Sequence, residues 1–194
     1  MSGRPRSVHA DRAILDATLR LLVEQGYDGA SMEAVASAAG VGKPTIYRRY
    51  PTKRDLVIAA VSSLAESMPP PPETADVRAD LLGYLEPAFG VFKSGVGFAM
   101  LGALLVKERE DPELMQLFRA RVIGPRMLVL VQILRRGVAA GQVRPDVRGE
   151  VAAQMLAGAL FAGHVAGQSI DVAWLGSVVD YLWAGLAPSD TRQL

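Results

Sequence analysis

The sequence contains no cysteine and only two histidines, His9 and His164, which lie far apart in the chain. Without thiols the protein can form neither a disulfide nor a thiolate metal site, and two distant imidazoles are too few for a zinc centre. We therefore expect no metal and no cofactor. We also find no serine, histidine and acid arrangement, no phosphate-binding loop and no paired carboxylates in a supporting context. The sequence thus predicts a protein that is not an enzyme.

Targeting and membrane segments are missing as well. The N-terminus, MSGRPRSVHADR, has no apolar core of the kind that a signal peptide needs, so we expect a cytoplasmic protein. The run from Val151 to Ile170 carries no formal charge and is the strongest membrane candidate. However, Gln154, His164 and Gln168 interrupt it, and its many alanines and glycines favour a buried helix of a soluble protein.

Strand-like alternation is absent too, whereas half of the 194 residues are hydrophobic. That content suffices for two helical parts with sizeable cores, so we predict an all-α fold. Pro69–Pro72 marks the clearest boundary, and Pro125 should kink or split a long helix. The predicted helices span about 11–25, 32–39, 44–50, 52–68, 76–92, 95–109, 112–141, 148–167 and 171–187.

The segment Ser31 to Lys53, SMEAVASAAGVGKPTIYRRYPTK, predicts two short helices around a glycine turn. Ser31 is a good N-cap for the first of them, and Gly40 suits the left-handed position that follows it. Pro44 fits the first turn of the next helix, and Pro51 ends that helix. This pattern indicates a helix-turn-helix.

Acidic residues are absent between Ala34 and Arg54, although the whole chain has a net charge of only +1. Lys43 and Lys53 lie at or beside the starts of consecutive helices, where the helix dipole disfavours a cation unless an anion neutralises it. An ordinary solvated basic face is the alternative. Together with the turn glycine, the charges favour the phosphate backbone of DNA as the partner. The cations of this stretch are Lys43, Arg48, Arg49, Lys53 and Arg54.

Residues Gly40 to Lys53, GVGKPTIYRRYPTK, resemble the DNA-binding signature of TetR-type transcriptional regulators, and the similarity covers roughly residues 10–60. The resemblance implies an N-terminal three-helix helix-turn-helix domain, residues 1–67, joined by a long helix to a C-terminal helical bundle. A proline-rich linker, 68–75, would precede the ligand-binding and dimerisation bundle, 76–194. Arg4 and Arg6 would form a basic arm that enters a minor groove, or an ordinary solvated terminus.

The resemblance also assigns contacts with the DNA backbone. Ser31 would touch a phosphate at the start of the second helix, and Tyr47 and Lys53 would bind the backbone. Arg48 and Arg49 stand where the family often has an aromatic residue and a histidine. They would therefore read bases or add phosphate affinity.

The base contacts would come from the start of the third helix, where Lys43, Pro44 and Thr45 would face the major groove. The Thr45 methyl and hydroxyl groups and the apolar edge of Pro44 can discriminate thymine, and Lys43 can donate to guanine. Tyr50 stands where the family has an inward-packing apolar residue, so we expect it in the core.

Adaptable apolar side chains around the break at Pro125 are candidates for the wall of an effector pocket, although each could be ordinary core. They predict a small, largely apolar effector. The candidates are Phe89, Phe92, Met100, Leu104, Met115, Phe118, Val122 and Met127.

Small residues in the last two predicted helices would let two helices approach closely, either in a deep core or in a seam between subunits. The resemblance favours the seam, as a four-helix bundle in a homodimer. A two-fold dimer carries two reading helices, so the DNA site should be an inverted repeat. His164 would be a pH-sensitive or ligand-facing group, or it would lie buried and hydrogen-bonded. The seam candidates are Ala153, Ala157, Phe161, His164, Val178 and Leu182.

Two functional hypotheses follow. In the first, the protein is a homodimeric transcriptional regulator, a repressor that leaves its operator when the effector binds. In the second, it is an architectural or division-control DNA-binding protein whose C-terminal domain docks a protein partner.

Overall fold

A computed structural model describes residues 5–93 and 96–188, with the side chains of residues 5–7, 65, 92, 93 and 96 left out. The described residues form helices and no strand, which confirms the all-α prediction. The elements are α1 (Pro5–Gly29), α2 (Met32–Ala38), α3 (Lys43–Arg49), α4 (Lys53–Glu66), α5 (Val77–Lys93), α6 (Val96–Lys107), α7 (Pro112–Phe118), a π-helical segment (Arg119–Ile123), α8 (Gly124–Ala139), α9 (Gly149–Val165) and α10 (Val172–Leu186).

Glycine and proline end the helices where the sequence predicts. Gly26 interrupts α1 with a φ of 70°, and α4 ends at Glu66, before the proline run. The break predicted at Pro125 is confirmed, because the π-helical segment ends directly before Gly124. Proline has no N–H to continue the hydrogen-bond ladder of an α-helix, and a wider π turn is one way to accommodate that loss.

The start of α1 differs from the prediction. The helix begins at Pro5 rather than near Asp11, because proline suits the first helical turn and no breaker follows it before Gly26. Arg4 and the side chain of Arg6 lie outside the described residues, so the basic arm stays a prediction.

The first of two compact units comprises the chain up to Met68 together with Val91–Ile123. It includes α6 and α7 as well as the four N-terminal helices. Their side chains share one buried core, and its fully buried members include Ile14, Ile46, Leu56 and Leu104. The short helices α2 and α3 would be marginal alone, so this shared core must hold them in place.

The second unit comprises Pro69–Gly90 and the chain from Gly124 onwards. Its core joins α5, α8, α9 and α10, and it contains Leu81, Leu134, Leu156 and Leu175. The boundaries of functional domains, at residues 67 and 76, remain a prediction, because packing units and functional domains need not coincide.

A buried carboxylate pins the proline-rich segment to the second unit. Asp80 is fully buried and accepts hydrogen bonds from the Thr74 amide at 3.1 Å and from Arg136 Nη2 at 2.7 Å. Arg136 Nη2 also donates to the Pro72 carbonyl at 3.1 Å. Burying a charge is tolerated here because it is paired and hydrogen-bonded.

Among the described residues, no helix combines the length and the apolar character that a membrane-spanning helix requires.

Candidate nucleic-acid interface

The turn between α2 and α3 has the geometry that the sequence predicts. The Ser31 hydroxyl caps α2 by accepting from the Ala34 amide at 3.1 Å. Gly40 has a φ of 65°, a left-handed conformation that disfavours any side chain. The Gly40 and Val41 amides donate to the carbonyls of Ser37 and Ala36 at 3.2 and 3.0 Å, which is a Schellman motif. The angle at which α3 leaves the turn is therefore well determined.

The third helix presents one exposed face and one buried face. Ile46 is fully buried, whereas Lys43, Pro44, Tyr47 and Arg48 are exposed. The exposed set follows helical spacing, so these side chains share one face. Thr45 lies at the edge of this face and is half-buried. A helix that is buried along one side and polar along the other can lie in a major groove.

Glu33 of α2 organises part of this face. The Tyr47 hydroxyl donates to Glu33 Oε1 at 3.1 Å, and Lys43 Nζ lies 3.6 Å from the same oxygen. The Glu33 backbone N–H and then the Tyr47 hydrogen bond lower the pKa of Glu33, and the same Tyr47 bond raises the pKa of Tyr47. The protein itself thus supplies an anion near the start of α3.

Lys53, at the start of α4, lies against an aromatic ring. Its Nζ is 4.3 Å from the centroid of the Tyr27 ring and donates to the Asp28 carbonyl at 3.2 Å. Burial is the main reason that the pKa of Lys53 is lowered. The ring and the carbonyl restrict the ammonium group to a small volume, which would prepare it to meet a phosphate. Thr52 caps α4, since its Oγ1 accepts from the Asp55 amide at 3.1 Å.

The three arginines of the basic stretch have different surroundings. Arg48 is exposed, and within the described part of the chain it has no ion-pair partner. Arg49 is 17 % exposed and pairs with Asp11 of α1. Arg54 pairs with Asp111 at 2.7 Å and also with Glu113. Through these ion pairs Arg49 and Arg54 join helices of the first unit.

Sequence reasoning missed Tyr27, Glu33 and Asp111. Their roles depend on contacts between helices that are distant in the chain, which periodicity does not reveal. Asp111 caps α7 by accepting from the Leu114 amide at 3.1 Å. The one available signal was Tyr27, an aromatic residue directly after the helix-breaking Gly26. Tyr50 is half-buried and packs on the first core, as expected.

The predicted pocket residues are divided between the two units. Phe89 is buried in the second unit, where Met127 packs against the core. The side chain of Phe92 lies outside the described residues. The pocket therefore stays a prediction. The other candidates are buried in the first unit, namely Met100, Leu104, Met115, Phe118 and Val122.

The predicted seam residues of α9 and α10 differ in exposure. Ala153 is fully buried within its own unit. Ala157, Phe161, Val178 and Leu182 are half-buried. His164 is exposed in the single chain, because it lies on the side of α9 away from the core.

No group of histidine, aspartate and glutamate side chains in the described ranges is arranged to hold a metal ion.

Two family descriptions match the chain. Residues 14–60 match the family described as "Bacterial regulatory proteins, tetR family". Residues 71–182, more than half of the chain, match the description "Tetracyclin repressor-like, C-terminal domain".

Two individual proteins are similar to this chain over most of its length. An uncharacterized HTH-type transcriptional regulator of Mycobacterium tuberculosis, Rv1556, is 34% identical over 130 residues, which are 67% of this chain and 63% of that protein. The chain thus spans less than two thirds of that relative. The DNA-binding transcriptional repressor TetR of Mycobacteroides abscessus is 27% identical over 172 residues, covering 87% and 88% of the two chains.

Solved structures share the fold. The TetR family transcription regulator SCO0332 is 29% identical with a TM-score of 0.69, and the alignment covers 92% of this chain and 99% of that one. FadR of Bacillus subtilis, solved in complex with stearoyl-CoA, is 23% identical with a TM-score of 0.72. That alignment covers 90% of this chain and 98% of the FadR chain.

Proposed function

Because the chain belongs to the tetR family of bacterial regulatory proteins, we propose that it is a homodimeric transcriptional repressor of an inverted-repeat operator. A small effector that binds the C-terminal part would release it from DNA. The observation that carries the proposal is the exposed face of α3, held in a fixed orientation by the Schellman turn and the buried Ile46.

The chemistry of the face divides its residues into two groups. Lys53, Tyr47, Arg48 and the Ser31 hydroxyl are donors for phosphate oxygens, which carry no sequence information. The Ser31 hydroxyl accepts a hydrogen bond in its cap and still has its own hydrogen to donate. Lys43, Pro44 and Thr45 would read base edges. We leave Arg49 out of the contact set, because Asp11 already pairs with it.

The proposed dimer uses the outer surfaces of α9 and α10. Val151, Met155 and Val165 are 41%, 58% and 86% exposed, and they share one stripe of α9 with Gly158 and Ala162. Tyr181 of α10 is 82% exposed. Exposed apolar stripes of this kind mark interaction surfaces. The pairing seen throughout the family favours a second copy of the chain as the occupant.

A route for release follows from the neighbours of α4. The Arg54–Asp111 ion pair ties the start of α4 to the start of α7, and α4 packs against the π-helical segment. That segment continues directly into α8. An effector that displaces the beginning of α8 would thus shift α4, whose first residues include Lys53. The mechanism requires only that the effector bind the two arrangements unequally.

Fluorescence anisotropy tests the proposal. We would compare duplex DNA taken from beside the gene with a scrambled duplex, at about 50 and 200 mM salt. Wild-type protein should select the natural duplex. Thr45→Ala should reduce that selectivity by about tenfold, the range of one base contact. Lys53→Ala should weaken binding to both duplexes and reduce the slope of log affinity against log salt by about 0.9.

Arg135→Ala is the matched control for lost charge, because Arg135 is exposed on α8 in the other unit. It should leave the salt slope unchanged. Equal effects of Thr45→Ala and Lys53→Ala on both duplexes would contradict the division of roles. Equal binding of both duplexes by the wild-type protein would contradict the proposal that it is a sequence-specific repressor.

A further inference from the structure

A guanidinium group in the second unit is buried without a partner. Arg126 lies in the first turn of α8 and is half-buried, and its Nε and Nη2 atoms have no solvent exposure. Within the described residues, neither atom has a hydrogen-bond acceptor. The backbone of Arg126 does have a partner, since the Tyr84 hydroxyl donates to the Arg126 carbonyl at 3.3 Å.

The other arginines with partly buried side chains in this unit are paired. Arg136 binds the buried Asp80, and Arg78 binds Asp180 at 2.6 Å. Arg144 also has a buried Nε, but a carboxylate oxygen of Asp146 lies 3.5 Å from it. Arg126 is therefore unusual in the described part of the unit, because no carboxylate compensates its charge.

Such a group is energetically unfavourable in the free protein. A guanidinium stays charged, and each buried N–H without an acceptor loses its hydrogen bonds to water. Burial lowers the pKa of Arg126, the direction expected for a cation deprived of water, and Tyr84 opposes the shift only in part. A methionine or leucine would fill similar space without this penalty. The residue is thus better suited to a state in which an anion is present.

The apolar side chains of the second core indicate what the rest of the ligand would be. Tyr84 and Phe89 of α5 are 8% and 5% exposed, and Met127 and Leu130 of α8 belong to the same cluster. Aromatic and thioether side chains in the same core as Tyr84, which bonds the Arg126 carbonyl, suit a molecule with an apolar body and one anionic group.

We propose that Arg126 anchors the acidic group of an amphipathic anionic effector, with its apolar body against Phe89 and Met127. This inference rests on the proposed function, and it replaces the expectation of a largely apolar effector with that of an organic acid, sulfonate or phosphate ester. Arg126 also lies next to the π-helical segment in the chain, so its ligand would act on the helix start that the release mechanism requires.

Two fluorescent probes with the same rings test the charge requirement. Anilinonaphthalene sulfonate is an anion, and phenylnaphthylamine lacks the sulfonate. We would measure the affinity of the full-length protein for each and take their ratio. In Arg126→Met the preference for the sulfonate should fall by about tenfold or more, because a charge-assisted hydrogen bond is lost. Arg126→Lys should retain part of it.

Arg135→Met removes the same charge from an exposed position of the same helix, and it should leave the ratio unchanged. The proposal would be overturned if the ratio of the two probe affinities were equal in wild type and Arg126→Met. It would also be overturned if the ratio fell equally in Arg126→Met and Arg135→Met. Thermal melting tests whether Arg126 has a structural role instead. Arg126→Met should melt no lower than wild type, and a clear loss of stability would show that the guanidinium serves the fold and would overturn the proposal.

DNA selection, measured without probe, separates the two proposals. If the wild type does not select the natural duplex, the repressor function fails while the probe ratio still reports on Arg126. If the wild type selects the natural duplex but the probe ratio is the same in wild type and Arg126→Met, only the proposal of an anionic effector is refuted.

Discussion

Glu33 contacts two of the side chains that we propose for DNA binding, although it carries the charge that DNA repels. Its carboxylate accepts from Tyr47 and lies 3.6 Å from Lys43 Nζ. In the free protein this carboxylate orients both residues and partly neutralises Lys43. In the complex it would lie close to phosphates. Its effect on affinity is therefore the balance between orientation and repulsion.

We expect repulsion to dominate, because an exposed ion pair contributes little. Glu33→Gln removes the charge but keeps an acceptor for the Tyr47 hydroxyl. It should tighten binding to natural and scrambled duplexes by about two- to fivefold at low salt, and the gain should fade as salt screens the charges. Anisotropy titrations at several salt concentrations measure this effect.

Glu150→Gln in the second unit is the control, and it should change neither affinity. Weaker binding by Glu33→Gln would mean that the carboxylate is needed to hold Tyr47 and Lys43 in place.

At the scale of elements, the N-cap of α2 allows the contribution of Ser31 to stability to be measured separately from its contribution to DNA binding. Ser31→Ala removes the acceptor for the Ala34 amide, so the free energy of unfolding should fall by about 1 kcal/mol. Urea denaturation measures this loss. Ser37→Ala, at an exposed position of the same helix, should change stability by less than about 0.5 kcal/mol.

Ser31→Asp distinguishes the two roles of Ser31. Aspartate caps a helix as well as serine does and interacts favourably with the helix dipole, so stability should be retained. DNA affinity should nevertheless fall, because the new carboxylate faces phosphate. If Ser31→Asp binds DNA like wild type, Ser31 makes no phosphate contact.

Helix ends were also the elements that sequence reasoning located best. Gly26, Gly40, Thr52 and the proline run act through their own backbone geometry or nearest neighbours, so their effects can be predicted locally. The form of the break near Pro125 was not predictable in this way. Proline requires that the ladder be interrupted, but the choice of a π-helical segment depends on how Phe118 and Val122 pack in the core.

At the scale of the whole molecule, the stripe on α9 predicts assembly. Met155 lies at the middle of the stripe, where it lines an open cleft with Val151, Leu182 and Gly185. Met155→Glu would place a charge in the proposed seam. We expect it to convert the dimer to a monomer in light scattering. Operator affinity should fall strongly, because the two half-sites would no longer be bound together.

Gln132→Glu introduces the same charge at an exposed position of α8, and it should leave the protein dimeric. A dimeric Met155→Glu protein with unchanged operator affinity would show that the seam lies elsewhere.

The sequence by itself determined the helical class and the helix-turn-helix. These properties depend on spacing, caps and turn residues that act over a few positions along the chain. The tertiary structure alone decided which cations are ion-paired, because the acids that engage Arg49 and Arg54 come from α1 and the start of α7. It also decided that Lys53 lies on the Tyr27 ring and that two buried nitrogens of Arg126 have no acceptor among the described residues. Ion pairing and burial depend on packing between distant segments, and local pattern contains no information about that packing.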